Sequence, residues 1–184
     1  KITLNQKKKE FYLTDIVELM AGKNLKVETF TTPDANEGLG INTREDLATA
    51  GEILRFRILR KWMLEGVTIV DPQTTFIDAD VEIGQDTTIR PFVVIENNVK
   101  IGKNCTVGPF ARLRPGTKLK DHVEIGNFAE VSRSELGKHS LMKHFSFLGD
   151  ARVGSKVNIG AGVVTANYDG KNKNITQIAD EAFI

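Results

Sequence analysis

The sequence predicts a mainly β protein. Its body is a parallel β-helix of six-residue repeats, preceded by a connecting α-helix and a small α/β segment. Three observations carry this. Ten aliphatic residues sit six apart without a gap: Ile77, Ile83, Ile89, Ile95, Ile101, Val107, Leu113, Leu119, Ile125 and Val131. That period is neither a helix's 3.6 nor a plain strand's 2, and it marks units that stack on one another. The fifth position of each unit is small or β-branched: Val81, Thr87, Val93, Val99, Cys105, Ala111, Thr117, Val123 and Ala129. A run with helical spacing stands immediately before the repeats.

Residues 1–42 come first and read as a mixed segment. Phe11 to Met20 is apolar with helical spacing, and Lys26-Val27-Glu28-Thr29-Phe30 alternates like a strand. Thr32-Pro33-Asp34-Ala35-Asn36-Glu37-Gly38 reads as a loop, and Lys7-Lys8-Lys9 as a solvated one. The segment has too few apolar residues for its own core, so it reads as the edge of something larger.

Residues 43–65 read as one helix. Thr43 suits the N-cap with Asp46 three residues on, and Leu47, Ile53, Leu54, Ile58, Leu59 and Met63 recur at helical spacing. Gly66 ends it, which makes 43–66 a linker and 67–184 the repeat domain.

In the repeats, side chains two apart share a face of an extended chain, so the fifth residue and the next first residue point inward together. The residues between them turn a corner, where Gly, Asn and Asp tolerate unusual dihedrals. Three short strands and three corners make one triangular coil, and coils stack about 4.8 Å apart. After Val131 the phase slips by one to Leu136, Met142 and Leu148, and again to Val153 and Ile159. The polar stretch Ala166-Asn167-Tyr168-Asp169-Gly170-Lys171-Asn172-Lys173-Asn174 cannot supply core residues and is expected to protrude as a loop. Ile178 resumes the repeat. Ile184 opens a unit that the sequence does not finish, so a cut chain is expected.

Composition narrows the function classes. The 184 residues carry a net charge of +1, which gives no argument for nucleic acid or an anionic membrane as partner. No apolar run approaches the ~20 residues of a membrane span. One cysteine, Cys105, excludes an internal disulfide and suits a reducing cytoplasm.

Three clusters suggest chemistry. Arg112 and Arg114, within Gly108-Pro109-Phe110-Ala111-Arg112-Leu113-Arg114-Pro115-Gly116, suit a phosphate through bidentate geometry. His144 occupies the third place of a unit begun by Met142, and its ordinary pKa suits a general base. His122 and His139 fall at corners and read as structural. Asn158, then Asn167, Tyr168 and Lys173, supply hydrogen bonds and one cation suited to a polar phosphorylated ligand. An exposed arginine or a lone histidine is more often structural than functional, so the weight lies in the three clusters together.

These motifs carry a resemblance. Val107 to Gly116, Gly126-Asn127-Phe128, Leu148-Gly149-Asp150 and Asn158-Ile159-Gly160-Ala161-Gly162, followed by Asn167-Tyr168-Asp169-Gly170, resemble the bacterial bifunctional N-acetylglucosamine-1-phosphate uridyltransferase and glucosamine-1-phosphate acetyltransferase family. Trp62 to Val67 and Asp71-Pro72 resemble its inter-domain arm. Phe11 to Ile16 and Gly40 to Arg44 resemble the end of its uridyltransferase domain. The resemblance implies a left-handed β-helix. It also implies acetyl transfer from acetyl-CoA to the amine of glucosamine 1-phosphate, then uridylyl transfer from UTP to give UDP-N-acetylglucosamine, a cell-envelope precursor. By resemblance His144 is the base, Arg114 holds the sugar phosphate and Asn158 binds the sugar. Asn167, Tyr168 and Lys173 line the sugar and acyl-donor site, with Asn167 and Tyr168 touching acetyl-CoA partly across a subunit boundary. Asn42 matches an asparagine that helps hold Mg²⁺ at the uridyltransferase site. A cytoplasmic homotrimer is implied.

The sequence departs from that family at two substrate-binding positions. Ser132 replaces a phosphate-binding lysine, and Phe147 replaces a tyrosine whose hydroxyl reaches the phosphate. Losing those donors costs about 1.5–3 and 0.5–1.5 kcal/mol. Arg133 and Lys143 are the nearby cations available to compensate. The repeat is also about two coils short before Arg112. The uridyltransferase core with its Gly-rich loop, and the later coils that complete the acetyl-CoA site and trimer, are absent. This polypeptide is therefore expected to show no uridylyl transfer and weak or no acetyl transfer. Two other readings stand beside the first: a related sugar-1-phosphate acetyltransferase or nucleotidyltransferase of other specificity, and a non-catalytic trimeric scaffold.

Overall fold

A computed structural model describes all of residues 1–184. The chain forms two compact units, Lys1–Gly40 and Ile41–Ile184.

In the first unit a helix, α1 (Asp15–Ala21), and a short 3-10 turn (Ala35–Gly38) are the regular elements, and neither buries a residue. Asn5 Oδ1 accepts the backbone N–H groups of Lys7 and Lys8, folding the lysine run into an exposed turn. The strand expected over Lys26–Phe30 does not form. The alternation is present, but no neighbouring strand takes up its N–H and C=O groups, and Phe30 stays 91% exposed. The unit has no fully buried side chain, as its composition implied.

The second unit begins with α2 (Arg44–Leu64). Thr43 accepts from the Asp46 N–H while the Asp46 side chain accepts from the Thr43 N–H, so two orphan donors of the first turn are satisfied reciprocally. The backbone N–H groups of Asn42 and Thr43 hold the Asp46 carboxyl below its ordinary pKa. Gly66, at φ +92°, takes the left-handed turn that stops the helix. Leu59 and Trp62 are buried in the same core as the first repeats. Arg55 donates to the carbonyls of Pro72 and Gln73 at 3.1 and 2.7 Å and lies over the Phe76 ring. The helix thereby covers the apolar end of the stack, as a repeat array requires.

The prism follows. Its first coil is β1 (Thr68–Ile69), β2 (Phe76–Ile77) and β3 (Glu82–Ile83). Next come β4 (Thr88–Ile89), β5 (Val94–Ile95) and β6 (Lys100–Ile101), then β7 (Thr106–Val107), β8 (Arg112–Leu113) and β9 (Lys118–Leu119). Above them β10 (Glu124–Ser132) runs through a corner before β11 (Glu135–Leu136), and β12 (Leu141–Gly149) does the same before β13 (Ala151–Val153). The last coil holds β14 (Asn158–Ile159) and β15 (Thr176–Ile178). All pairings between strands are parallel, coil on coil: β1-β4-β7-β10-β12-β14 on one face, β2-β5-β8 continuing into the later halves of β10 and β12 on the second, and β3-β6-β9-β11-β13-β15 on the third. Stacked partners lie 18 residues apart in the early coils, 17 after Val131 and 25 across the protruding loop.

All ten first-position aliphatics are buried, none more than 8% exposed, and the nine fifth-position residues are buried with them. The prism starts one strand earlier than the period suggests. Val67 and Ile69 already point inward, but residues 71–75 form an extra turn stitched by Asp71, whose carboxylate accepts from the Gln73 N–H and the Thr74 hydroxyl. That turn places Ile77 eight positions after Ile69 and hides the first unit from the six-residue count. Buried hydroxyls join neighbouring coils: Thr87 accepts from Cys105 N–H and donates to Gly102 C=O, and Ser140 accepts from Val157 N–H and donates to Gly154 C=O. Burial pushes the Cys105 thiol up, as for a core residue.

The corners repeat one left-handed residue per turn, but not only Asn, Asp and Gly. Phe92, Phe110, Phe128, His122, His139 and Arg133 all have φ between +47° and +61°. Stacking of like corners offsets a cost of about 1–2 kcal/mol each. Phe92, Phe110 and Phe128 form one ring column at centroid spacings of 4.7 and 5.3 Å, and His122 lies flat on His139 at 4.6 Å. His122 and His139 are therefore corner residues, as expected.

Candidate functional site

Two corners of the prism gather the residues singled out by sequence. The first lies between the first and second faces, where β10 and β12 run through without a break and stack Asn127 under His144. Gly126 permits this close approach: a Cβ there would meet the Lys143 carbonyl oxygen at 1.9 Å. His144 is exposed, and its Nδ1 faces Asn127 Oδ1 at 3.3 Å. With the Asn127 oxygen as acceptor, the proton belongs on Nδ1 and Nε2 keeps its lone pair. A neutral imidazole with a free Nε2 at an exposed edge can accept a proton from an attacking nucleophile. A cleft of about 190 Å³ beside it is lined by Arg90, Gly108, Gly126, Asn127 and Lys143. Lys143 is paired with Glu124 at 3.0 Å.

The second corner lies between the second and third faces. Ser132 sits above Arg114 and below Gly149 in the stack, and it is wholly buried. Arg114 Nη1 donates to Glu130 at 2.8 Å, while its Nε is buried without a partner. Arg112, two residues earlier, is held by Glu96 at 2.6 Å. Both arginines of the phosphate-like motif thus answer to carboxylates within the chain. Arg133, a cation available to replace the missing lysine, is bound to Asp150 instead and donates to Ser132 Oγ at 2.8 Å. Phe147 pairs with Val164 beside the same corner, and the Asn167 carboxamide packs next to it. The Arg133 guanidinium and the Asn167 amide hold the Asp150 carboxyl down to about 2.

The loop expected over residues 166–174 grows out of this second corner. Tyr168 and Lys173 pair across it as an antiparallel bridge, and the Tyr168 hydroxyl donates to Gly170 C=O at 2.7 Å. Asp169 accepts from the N–H groups of Asn172 and Lys171 and from Asn174 Nδ2, which hold its carboxyl at about 2. Asn158 stands on the first face between Leu141 and Phe183.

The chain therefore brings Arg114, Ser132, Phe147 and Asn167 to one edge of the second face and His144 to the other. Asp150 lies six positions along extended chain from His144, roughly 15–20 Å away. One chain does not close Asn167, Tyr168 and Lys173 over its own His144. Asn42 belongs to neither corner. It is exposed at the start of α2 and is one neutral oxygen donor by itself, so these residues do not make an octahedral Mg²⁺ site. The sequence reading missed Asn127, Glu130 and Asp150 as partners, and it missed what Arg133 binds. The signal for Asn127 and for the Arg133–Asp150–Asn167 series is the coil length after the slips: 127 to 144, and 133 to 150 to 167, are each one 17-residue coil.

The residues 80–115 and 98–133 match the family model described as bacterial transferase hexapeptide (six repeats). Two solved structures share the fold. The acetyltransferase domain of PglB from Neisseria gonorrhoeae, in complex with acetyl coenzyme A, has a TM-score of 0.54 at 19% identity, over 76% of this chain and 60% of that one. A mutant of perosamine N-acetyltransferase from Caulobacter crescentus, in complex with CoA and GDP-perosamine, has a TM-score of 0.53 at 15% identity, over 72% and 60%. A left-handed β-helix of hexapeptide repeats places the protein among the hexapeptide transferases. Among curated proteins, the bifunctional protein GlmU of Acetivibrio thermocellus is 42% identical over 98% of this chain and 46% of its own length. That of a Geobacillus species is 42% identical over 100% and 47%. The chain belongs to the GlmU family. It spans about half the length of the curated relatives it matches. The Geobacillus alignment runs over 216 positions against 184 residues here, so that relative carries residues this chain lacks.

Proposed function

We propose that the protein containing this prism transfers the acetyl group of acetyl-CoA to the amine of glucosamine 1-phosphate. The carrying observation is the His144 imidazole, exposed at a corner, with Nδ1 turned to Asn127 Oδ1 and Nε2 left open. Nε2 accepts a proton as the amine nitrogen attacks the thioester carbonyl. The C–N bond forms, the C–S bond breaks, and coenzyme A leaves as a thiolate that takes up a proton. Arg114 faces the sugar phosphate, with Glu130 holding one end of its guanidinium. Asn158 binds the sugar, and Asn167, Tyr168 and Lys173 line the sugar and acyl-donor site. Because these groups and His144 occupy opposite edges of one face, a second copy supplies the loop that closes each site, in keeping with a homotrimer. Residues 1–42 are the end of a nucleotidyltransferase domain, 43–66 the linker and 67–184 the acetyltransferase prism. In the whole protein, uridylyl transfer from UTP with Mg²⁺ follows, in the cytoplasm.

The test uses full-length protein with acetyl-CoA and glucosamine 1-phosphate, following free thiol. Turnover abolished by His144→Ala supports the reading; no turnover, or turnover indifferent to that change, removes it. A second reading rests on Ser132 and Phe147, which lack the family's lysine and tyrosine donors: the acceptor is another amino-sugar 1-phosphate. A kcat/KM for galactosamine 1-phosphate above that for glucosamine 1-phosphate selects it.

A further inference from the structure

The two phase slips fall at the same corner of successive coils, and the side chains they place there are joined. Arg133 Nε donates to Asp150 Oδ1 at 2.7 Å and Nη2 to Asp150 Oδ2 at 2.9 Å, a two-pronged clamp. Its remaining nitrogen, Nη1, donates to Ser132 Oγ at 2.8 Å. In the next coil Asn167 Nδ2 donates to Asp150 Oδ2 at 2.5 Å. The series Ser132, Arg133, Asp150, Asn167 thus climbs the corner from β10 to the root of the loop. Room for the last member depends on Gly149, where a Cβ would meet Asn167 Nδ2 at 2.7 Å and the Phe147 ring at 2.9 Å.

This arrangement fixes which end of the Asn167 carboxamide faces the protein. The NH2 end is taken by a carboxylate, which accepts and cannot donate. The amide is prevented from flipping, and Oδ1 has no partner in the chain. Arg133 has each of its three nitrogens engaged, which ties it to this corner and leaves two of its five N–H groups for any phosphate in place of the lysine that Ser132 replaces. We propose that the Arg133–Asp150 pair is a positioning device that presents Asn167 Oδ1 as a fixed acceptor for an amide N–H of the acyl donor's pantetheine arm. This rests on the reading that Asn167 faces acetyl-CoA. Arg133 and Asp150 touch no substrate and act through Asn167. The low Asp150 pKa keeps the carboxylate ionised throughout the working range.

The experiment measures acetyl-CoA dissociation constants by calorimetry, and kcat at saturating substrate, on full-length protein. Asn167→Ala and Arg133→Ala are each expected to weaken acetyl-CoA binding about tenfold, and in Arg133→Ala kcat at saturating substrate changes less than twofold. The double variant is no weaker than the weaker single one, and Arg133→Lys recovers part of the loss. If Arg133→Ala does not fold, Asp150→Asn carries the same expectation. Arg133→Ala binding like wild type while Asn167→Ala binds weakly overturns the proposal, as do losses that simply add. Asn167→Ala binding like wild type is a separate result: it removes Asn167 from the donor site, and the positioning role goes with it.

Discussion

The prism from Ile77 to Val131 and the prism from Ser132 to Ile184 share one backbone plan and differ in what fills it. In the earlier coils every first position is Ile, Leu or Val, and each coil closes in 18 residues. In the later coils Ser134, Ser140 and Ser146 occupy the inward positions before Leu136, Met142 and Leu148, all nearly or wholly buried, and coils close in 17. A smaller interior gives up methyl contacts and replaces them with bonds between coils. Ser134 accepts from Ala151 N–H, Ser140 from Val157 N–H, and Ser146 donates to Gly160 C=O. The tighter turns bring Asn127, His144, Arg133, Asp150 and Asn167 into stacked contact. The regular half rests more on aliphatic burial; the irregular half adds more polar bonds between coils and holds His144 and the Asn167 loop, to which the proposed function assigns chemistry.

The sharpest way to break this contrast is His144→Ala in the full-length protein. It is expected to lower kcat for acetyl transfer by about 10²–10⁴-fold. The thermal midpoint stays unchanged, because the ring is exposed and supports no core. An unchanged kcat would return the irregular half to mere structure. Next, Leu113→Ala in the regular half empties a fully buried site and is expected to cost about 2–5 kcal/mol in denaturant unfolding, with kcat/KM preserved. Ser140→Ala in the irregular half removes the acceptor for Val157 N–H and the donor to Gly154 C=O, at about 1–3 kcal/mol. A larger loss at Ser140 than at Leu113 would reverse the assignment of burial to one half and hydrogen bonds to the other.

The smallest effect is a pH dependence. The Asp150 carboxyl, held at about 2 by Arg133 and Asn167, lies below its unfolded value of about 3.9. Its contribution is fully present above about pH 4 and is lost as pH falls through about 2. Acid unfolding followed by circular dichroism should therefore lose part of its slope between pH 4 and 2 in Arg133→Ala. An unaltered acid limb would mean that the clamp does not hold the carboxylate in solution.

Legibility in the sequence followed the same division. The ten first positions and nine fifth positions are inward because their spacing matches the coil, and a period needs no tertiary information to be read. Val67 and Ile69 escaped that count because the Asp71 turn adds residues between two units. Lys26–Phe30 alternates as a strand should, but a pattern cannot say whether a partner lies beside it. At the site, His144, Asn158 and the Asn167–Tyr168 loop were recognisable as text. Their partners were not, since Asn127 and Asp150 gain meaning only from what stands one coil away. The Arg114 guanidinium reads as a free phosphate grip in one dimension; the stack gives it Glu130.

The 18-residue closure has a consequence for how such a chain changes length. A gain or loss of 18 residues moves everything above it by about 4.8 Å along the axis and turns nothing. Other numbers rotate later side chains onto the wrong wall, unless a corner absorbs a single missing residue, as after Val131 and Leu148, or the surplus is thrown outward as residues 166–174 are. Distance from α2 to His144 is therefore available to this fold only in discrete steps. A site assembled at two edges survives every one of those steps with its orientation intact.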